Sequence, residues 1–173
     1  MKLSQIERLM LANQFKILEK LYPDKAEMYA RYCDALEDGY TREYSDLVGH
    51  LSRELSEDEC NEVWDIFDMY RAIQSSYRQL SDKGDISEED VRFEGFDGND
   101  RVGEGPLMSY ALYIVKDGRS YRDVQRSEGM NSHIRKLDHY RAMFKEWEDA
   151  GKSVSLTLER MKRILFPERP PQG

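Results

Sequence analysis

Apolar residues recur every three or four positions through most of this chain, and the breaks in that rhythm mark out helices. Ser4 and Glu7 have the spacing of a capping box, in which each side chain satisfies a free backbone N–H, and predict a helix from there to about residue 21. Its apolar set is Leu3, Ile6, Leu9, Met10, Leu11, Phe15, Ile17, Leu18 and Leu21. These cover more than one helical face, which predicts a central helix, and Asn13 and Gln14 interrupt it.

Pro23 and Asp24 open a second helix over 25–38, with Met28, Tyr32, Ala35 and Leu36 on one face and Gly39 as its stop. A short helix over 41–51 follows. The clearest stripe is Cys60, Val63, Phe67, Tyr70, Ile73, Tyr77 and Leu80, begun by the capping box Ser56/Glu59, and it predicts a long core helix over 57–80. Val91 and Phe93 then alternate with Arg92 and Glu94, the two-residue period of an extended connector, ahead of a turn at Gly95-Phe96-Asp97-Gly98.

Gly103-Glu104-Gly105 reads as flexible up to Pro106, which suits the first position of a helix through Leu107, Ala111, Leu112 and Val115 to Gly118. A polar loop occupies 119–130. Ser132 is placed to cap a helix carrying Ile134, Leu137, Tyr140, Phe144 and Trp147, and Ser155 to cap a last one carrying Leu158, Met161 and Leu165. The sum is an all-α, multi-helix bundle of about six to seven helices with one short extended connector. One helical domain is expected over 1–166, with helices 5–21 and 57–80 central and a loose tail over 167–173.

The chain has 173 residues, 39% hydrophobic and 35% charged, with mean hydropathy −0.80, which places it among globular chains with a heavily solvated surface. Glu7, Arg8, Lys16, Glu19 and Lys20 break the leucine-rich start, so it reads neither as a signal core nor as a membrane span, and a cytoplasmic location without a membrane partner is expected. Cys33 and Cys60 both fall in amphipathic stretches, which suits free thiols in a reducing compartment. The net charge of −8 opposes binding to polyanions. Residues 1–100 hold 12 Lys/Arg against 24 Asp/Glu and residues 101–173 hold 14 against 10, so the basic character gathers toward the C-terminal end.

His50, His133 and His139 have no metal-ligand spacing, and Asp97, Asn99 and Asp100 lack the glycine and glutamate of a calcium loop, so no metal is expected and a turn-and-cap role is assigned to the latter. No nucleophile elbow, Walker loop or dinucleotide fingerprint occurs, and no cofactor is expected. The segment 43–62 is too acidic for a recognition helix. Arg126 and His133, six residues apart, resemble the arginine and histidine signature of HEPN ribonucleases, where such a pair acts on the ribose hydroxyl and phosphate. Arg135, Lys136, Arg160, Lys162 and Arg163 are the candidate basic patch for RNA or an acidic protein partner.

Several stretches, in order and at matching spacing, are similar to the YfbU family of uncharacterised bacterial proteins. They are Gln5-Ile6-Glu7-Arg8-Leu9 with Leu11-Ala12-Asn13-Gln14-Phe15, then Glu37-Asp38-Gly39-Tyr40, Asp65-Ile66-Phe67-Asp68-Met69-Tyr70, Phe93-Glu94-Gly95-Phe96-Asp97, Tyr140-Arg141-Ala142-Met143, and residues 156–165. The glycines at 103 and 105 depart from the continuous helix expected of the family there. The resemblance implies a mostly helical, cytoplasmic protein that self-associates, and it supplies no catalytic residue. Asn13 and Gln14, joined by Tyr70, Phe96 and Asp97 from the matching stretches, are the candidate interaction or polar-network residues. The expected function is a non-catalytic, homo-oligomeric interaction or regulatory protein. The alternative is an RNA-binding protein or HEPN-like ribonuclease using Arg126 and His133.

Overall fold

Two capping boxes start the helices that organise the chain. The computed structural model describes residues 1–116, 118 and 120–167. In α1, Gln5–Leu21, the Glu7 carboxylate accepts the Ser4 N–H at 2.8 Å while the Ser4 hydroxyl accepts the Glu7 N–H at 3.3 Å. After a 3-10 turn at Pro23–Lys25 comes α2, Ala26–Asp38, and a 3-10 segment at Thr41–Val48. Helix α3, Glu57–Gln79, repeats the device with Ser56 and Glu59. Then follow α4, Glu104–Lys116, a 3-10 turn at Glu128–Met130, α5, Leu137–Asp149, and α6, Leu158–Leu165. The architecture is all-α, with no strand among the described residues.

The chain forms two compact units, Met1–Arg53 and Glu54–Gly173. The first has a small core of Ala12, Leu36, Tyr44 and Leu47, with Leu3, Leu11, Phe15 and Tyr32 packed on it. Arg8 locks α1 to the end of α2 by donating to the carbonyls of Leu36 and Glu37, each at 2.6 Å. Its guanidinium lies 3.2 Å from where a Cβ on Gly39 would sit, and Gly39 holds φ +79° as the left-handed cap of α2.

In this unit α1 departs from its expected central place. Ala12 is its one buried residue, and Ile6, Leu9, Met10, Ile17 and Leu21 are all more than half exposed. The count of apolar residues on α1 exceeds what a unit of 53 residues has room to cover, because its partners there are one helix and a 3-10 segment.

In the second unit α3 is the core helix, with ten buried residues from Val63 to Tyr77. Val91 and Phe93 point inward and Arg92 and Glu94 outward, as the alternation requires. Phe93 and Phe96 each make a parallel bridge, to Arg126 and Asn131, so that the two connectors run side by side over α3. Buried Gln74 staples them: its amide donates to the carbonyls of Val91 and Gln125 and accepts the Gln125 N–H, at 2.7–2.9 Å. Gly95 is forced, since a Cβ there would stand 1.9 Å from the Met130 carbonyl oxygen.

Three helix starts differ from the sequence expectation. Helix α4 begins at Glu104, two residues before Pro106, because Asp100 pins the glycines: its carboxylate accepts the Gly103 N–H at 3.0 Å and its carbonyl accepts the Gly105 N–H at 2.8 Å. Helix α5 begins at Leu137, and Ser132 instead donates to the Ile134 carbonyl. The cap of α5 comes from Glu104, which is 4% exposed and accepts the N–H groups of Lys136, Leu137 and Asp97 at 2.8–3.1 Å. Helix α6 is capped by Thr157, two residues after Ser155. The expected tail over 167–173 falls, from residue 168 on, outside the described residues.

Candidate functional site

Helix α1 presents two faces with different fates. Leu11, Ala12, Phe15 and Leu18 turn inward or partly inward. The opposite face carries Ile6, Met10, Asn13, Ile17 and Leu21, spaced four, three, four and four residues apart, with Leu9 beside them. Residues at these intervals line one side of a helix. The stripe runs about 22 Å along the axis at 1.5 Å per residue. Its apolar members are 55–71% exposed.

Asn13 sits in the middle of this stripe with Gln14 next to it, both exposed and neither making a side-chain hydrogen bond to a described residue. An amide placed among apolar side chains is costly to cover unless the covering surface supplies both a donor and an acceptor. The same unit holds a groove of about 850 Å³ lined by Phe15, Leu18, Met28, Tyr29 and Tyr32, with Lys25, Asp46 and His50 among its polar residues. Phe15 stacks against Tyr29 and tilts against Tyr32, at 5.9 and 5.2 Å between centroids, so the apolar wall of the groove is preformed.

In the second unit each residue singled out by the ribonuclease spacing has a local partner of its own. Arg126 is partly buried and donates from one guanidinium nitrogen to the carbonyls of Tyr121 and Val124, each at 3.1 Å. His133 lies in the loop before α5, exposed, with φ +59° and its N–H donated to the Asn131 side chain at 3.0 Å. The two residues line no common cavity among those described.

Tyr70 and Phe96 are core side chains, packed with Phe93 and Tyr140 at centroid distances of 5.2–5.7 Å across the cluster. Burial pushes the phenols of Tyr70 and Tyr140 well above the usual tyrosine range, and the Tyr140 hydroxyl donates to the Gly95 carbonyl at 2.8 Å. Asp97 closes a turn by accepting the Asn99 N–H at 2.9 Å.

The basic residues are largely paired within the unit. Arg135 meets Asp100 at 3.1 Å, Lys136 meets Glu94 at 2.8 Å, Lys162 meets Asp85 and Arg163 meets Glu146 at 3.3 Å. Arg160 lines a small cavity together with Glu146, Asp149 and Arg163. The surface there is therefore of mixed sign, and a phosphate backbone would have to displace carboxylates to reach the cations.

A cavity of about 450 Å³ gathers Tyr70, Arg92, Ser127 and His139 with Glu89, Asp90 and Glu94. Asp90 is occupied by the Ser87 N–H and hydroxyl, and Glu94 by Lys136. Burial, reinforced by Lys136, lowers the His139 pKa from 6.5 and favours the neutral ring. No group of three His, Cys, Asp or Glu able to hold a metal ion occurs among the described residues.

The outward stripe of α1 was legible as a periodicity, but the sequence offered no sign that it faced solvent. Glu104 and Gln74 carried no local signal, since both act on backbone groups far along the chain.

A family model described as the YfbU domain matches residues 1–166. A UPF0304 protein of Methanocaldococcus jannaschii is 35% identical over 170 residues, which span 94% of this chain and 98% of that protein. UPF0304 proteins of Actinobacillus succinogenes and Mannheimia succiniciproducens are each 30% identical over 166 residues, spanning 95% of this chain and 99% of theirs.

Proposed function

The chain belongs to the YfbU family, and we propose that it works in the cytoplasm as a non-catalytic, homo-oligomeric interaction or regulatory protein. The observation that carries this is the apolar face of α1, whose five large side chains stand more than half exposed beside a core of four buried residues. Contiguous exposed apolar surface of this kind marks a face that is covered in use. Tyr22, Met28, Tyr40, Val48 and Leu51 add to the apolar exposure of the same unit. The buried thiol of Cys33 and the free, partly buried Cys60 suit a reducing compartment.

What supports the ribonuclease alternative is the sequence spacing alone, because the Arg126 guanidinium already serves two loop carbonyls. Native mass spectrometry of the full chain tests the proposal. Multiples of 20.4 kDa that persist at micromolar concentration are expected. A single 20.4 kDa species at every concentration would overturn it.

A further inference from the structure

We infer that the occupant of the α1 stripe is the α1 stripe of a second copy of this chain, paired so that the two Asn13 side chains meet. This rests on the homo-oligomer proposed above and assigns its contact surface.

Three observations single out a second copy. First, the stripe is centred on Asn13, with Ile6 seven residues before it and Leu21 eight residues after. A two-fold axis passing beside Asn13 therefore lays apolar residues on apolar residues along the whole stripe, and a two-fold interface uses the same patch on both chains. Second, a carboxamide both donates and accepts, so two Asn13 side chains that meet across a two-fold axis satisfy each other. A single amide in an otherwise apolar helix seam is a device that fixes register and partner number.

Third, the charge and the area are adequate. Although the chain carries −8, α1 holds Arg8, Lys16 and Lys20 against Glu7 and Glu19, so two copies that pair through α1 do not bring two acidic helices together. Ile6, Leu9, Met10, Ile17 and Leu21 together expose roughly 600 Å² per copy, close to the ~800 Å² per partner of a standard stable interface before flanking residues are added.

The test uses the full chain in four forms: wild type, Asn13→Cys, Ile17→Asp, and Tyr113→Asp as a control on a 72% exposed side chain of the other unit. Light scattering gives the mass of each, circular dichroism confirms helix content, and mild oxidation followed by non-reducing electrophoresis reports cross-linking. The expected result is an oligomeric wild type and control, a disulfide-linked dimer formed by Asn13→Cys beyond any wild-type background, and at least a ~100-fold weaker association for Ile17→Asp with helix content retained. An oligomeric wild type whose mass survives Ile17→Asp, without cross-linking through residue 13, overturns the α1 assignment and leaves the homo-oligomer standing. A monomeric wild type at tens of micromolar overturns both.

Discussion

Glu104 caps the helix that begins beside Lys136. Its carboxylate accepts the Lys136 N–H at 2.9 Å, the Leu137 N–H at 2.8 Å and, from the other side, the Asp97 N–H at 2.8 Å. Free N–H groups at a helix start attract an anion. Here the anion comes from the first residue of α4 and ties that helix, α5 and the Phe96 connector into one joint.

Removing that joint is expected to be expensive. Glu104→Ala leaves three part-buried donors without their acceptor and lowers unfolding stability by about 2–4 kcal/mol, while Glu104→Gln, which keeps an acceptor but loses the charge, costs less. Urea denaturation followed by circular dichroism checks both, and a Glu104→Ala midpoint equal to wild type would contradict the role.

His139 gives the fold a mild acid sensitivity. Its folded pKa lies below 6.5 because burial and then Lys136 disfavour the charged ring. The unfolded chain therefore binds the proton more readily, and the contribution of this residue is present above pH 6.5 and declines as pH falls toward the folded value. His139 is exposed to solvent, which screens these influences, so the effect is shallow. Subtracting the stability profile of His139→Asn from that of wild type should leave a slope on the acid side of 6.5 and a flat line above it. Identical profiles would count against the assignment.

Arg126 is expected to behave as a loop staple. Arg126→Ala frees the carbonyls of Tyr121 and Val124 and should cost about 1–3 kcal/mol. Incubation of wild type and variant with a mixed RNA pool should leave the RNA intact in both cases. Cleavage by wild type that disappears in Arg126→Ala and in His133→Ala would restore the ribonuclease alternative.

The two capping boxes and the short alternation are legible locally, while caps supplied from a distance are not. The Ser56/Glu59 box and the 91–94 alternation depend on neighbours within four residues, and both elements stand where the pattern put them. Helix α5 starts after Ser132 because its cap lies 32 residues upstream of Lys136, and no periodicity links Glu104 to Lys136. The pinning of Gly103 and Gly105 by Asp100 likewise turned an apparent hinge into the first turn of α4. Helix α1 shows a third kind of limit: its apolar residues announced that two faces would be covered, but hydrophobicity does not say which chain supplies the cover. Asn13 stands out on an apolar helix, and it lies at the midpoint of an exposed stripe.

Sedimentation velocity of the wild-type chain and Ile17→Asp, run side by side over a dilution series, tests the central claim most directly. The account predicts a wild-type boundary faster than that of a 20.4 kDa monomer, slowing only on dilution, and an Ile17→Asp boundary that stays monomeric throughout. Two superimposable monomer boundaries, or two equally fast ones, would contradict it.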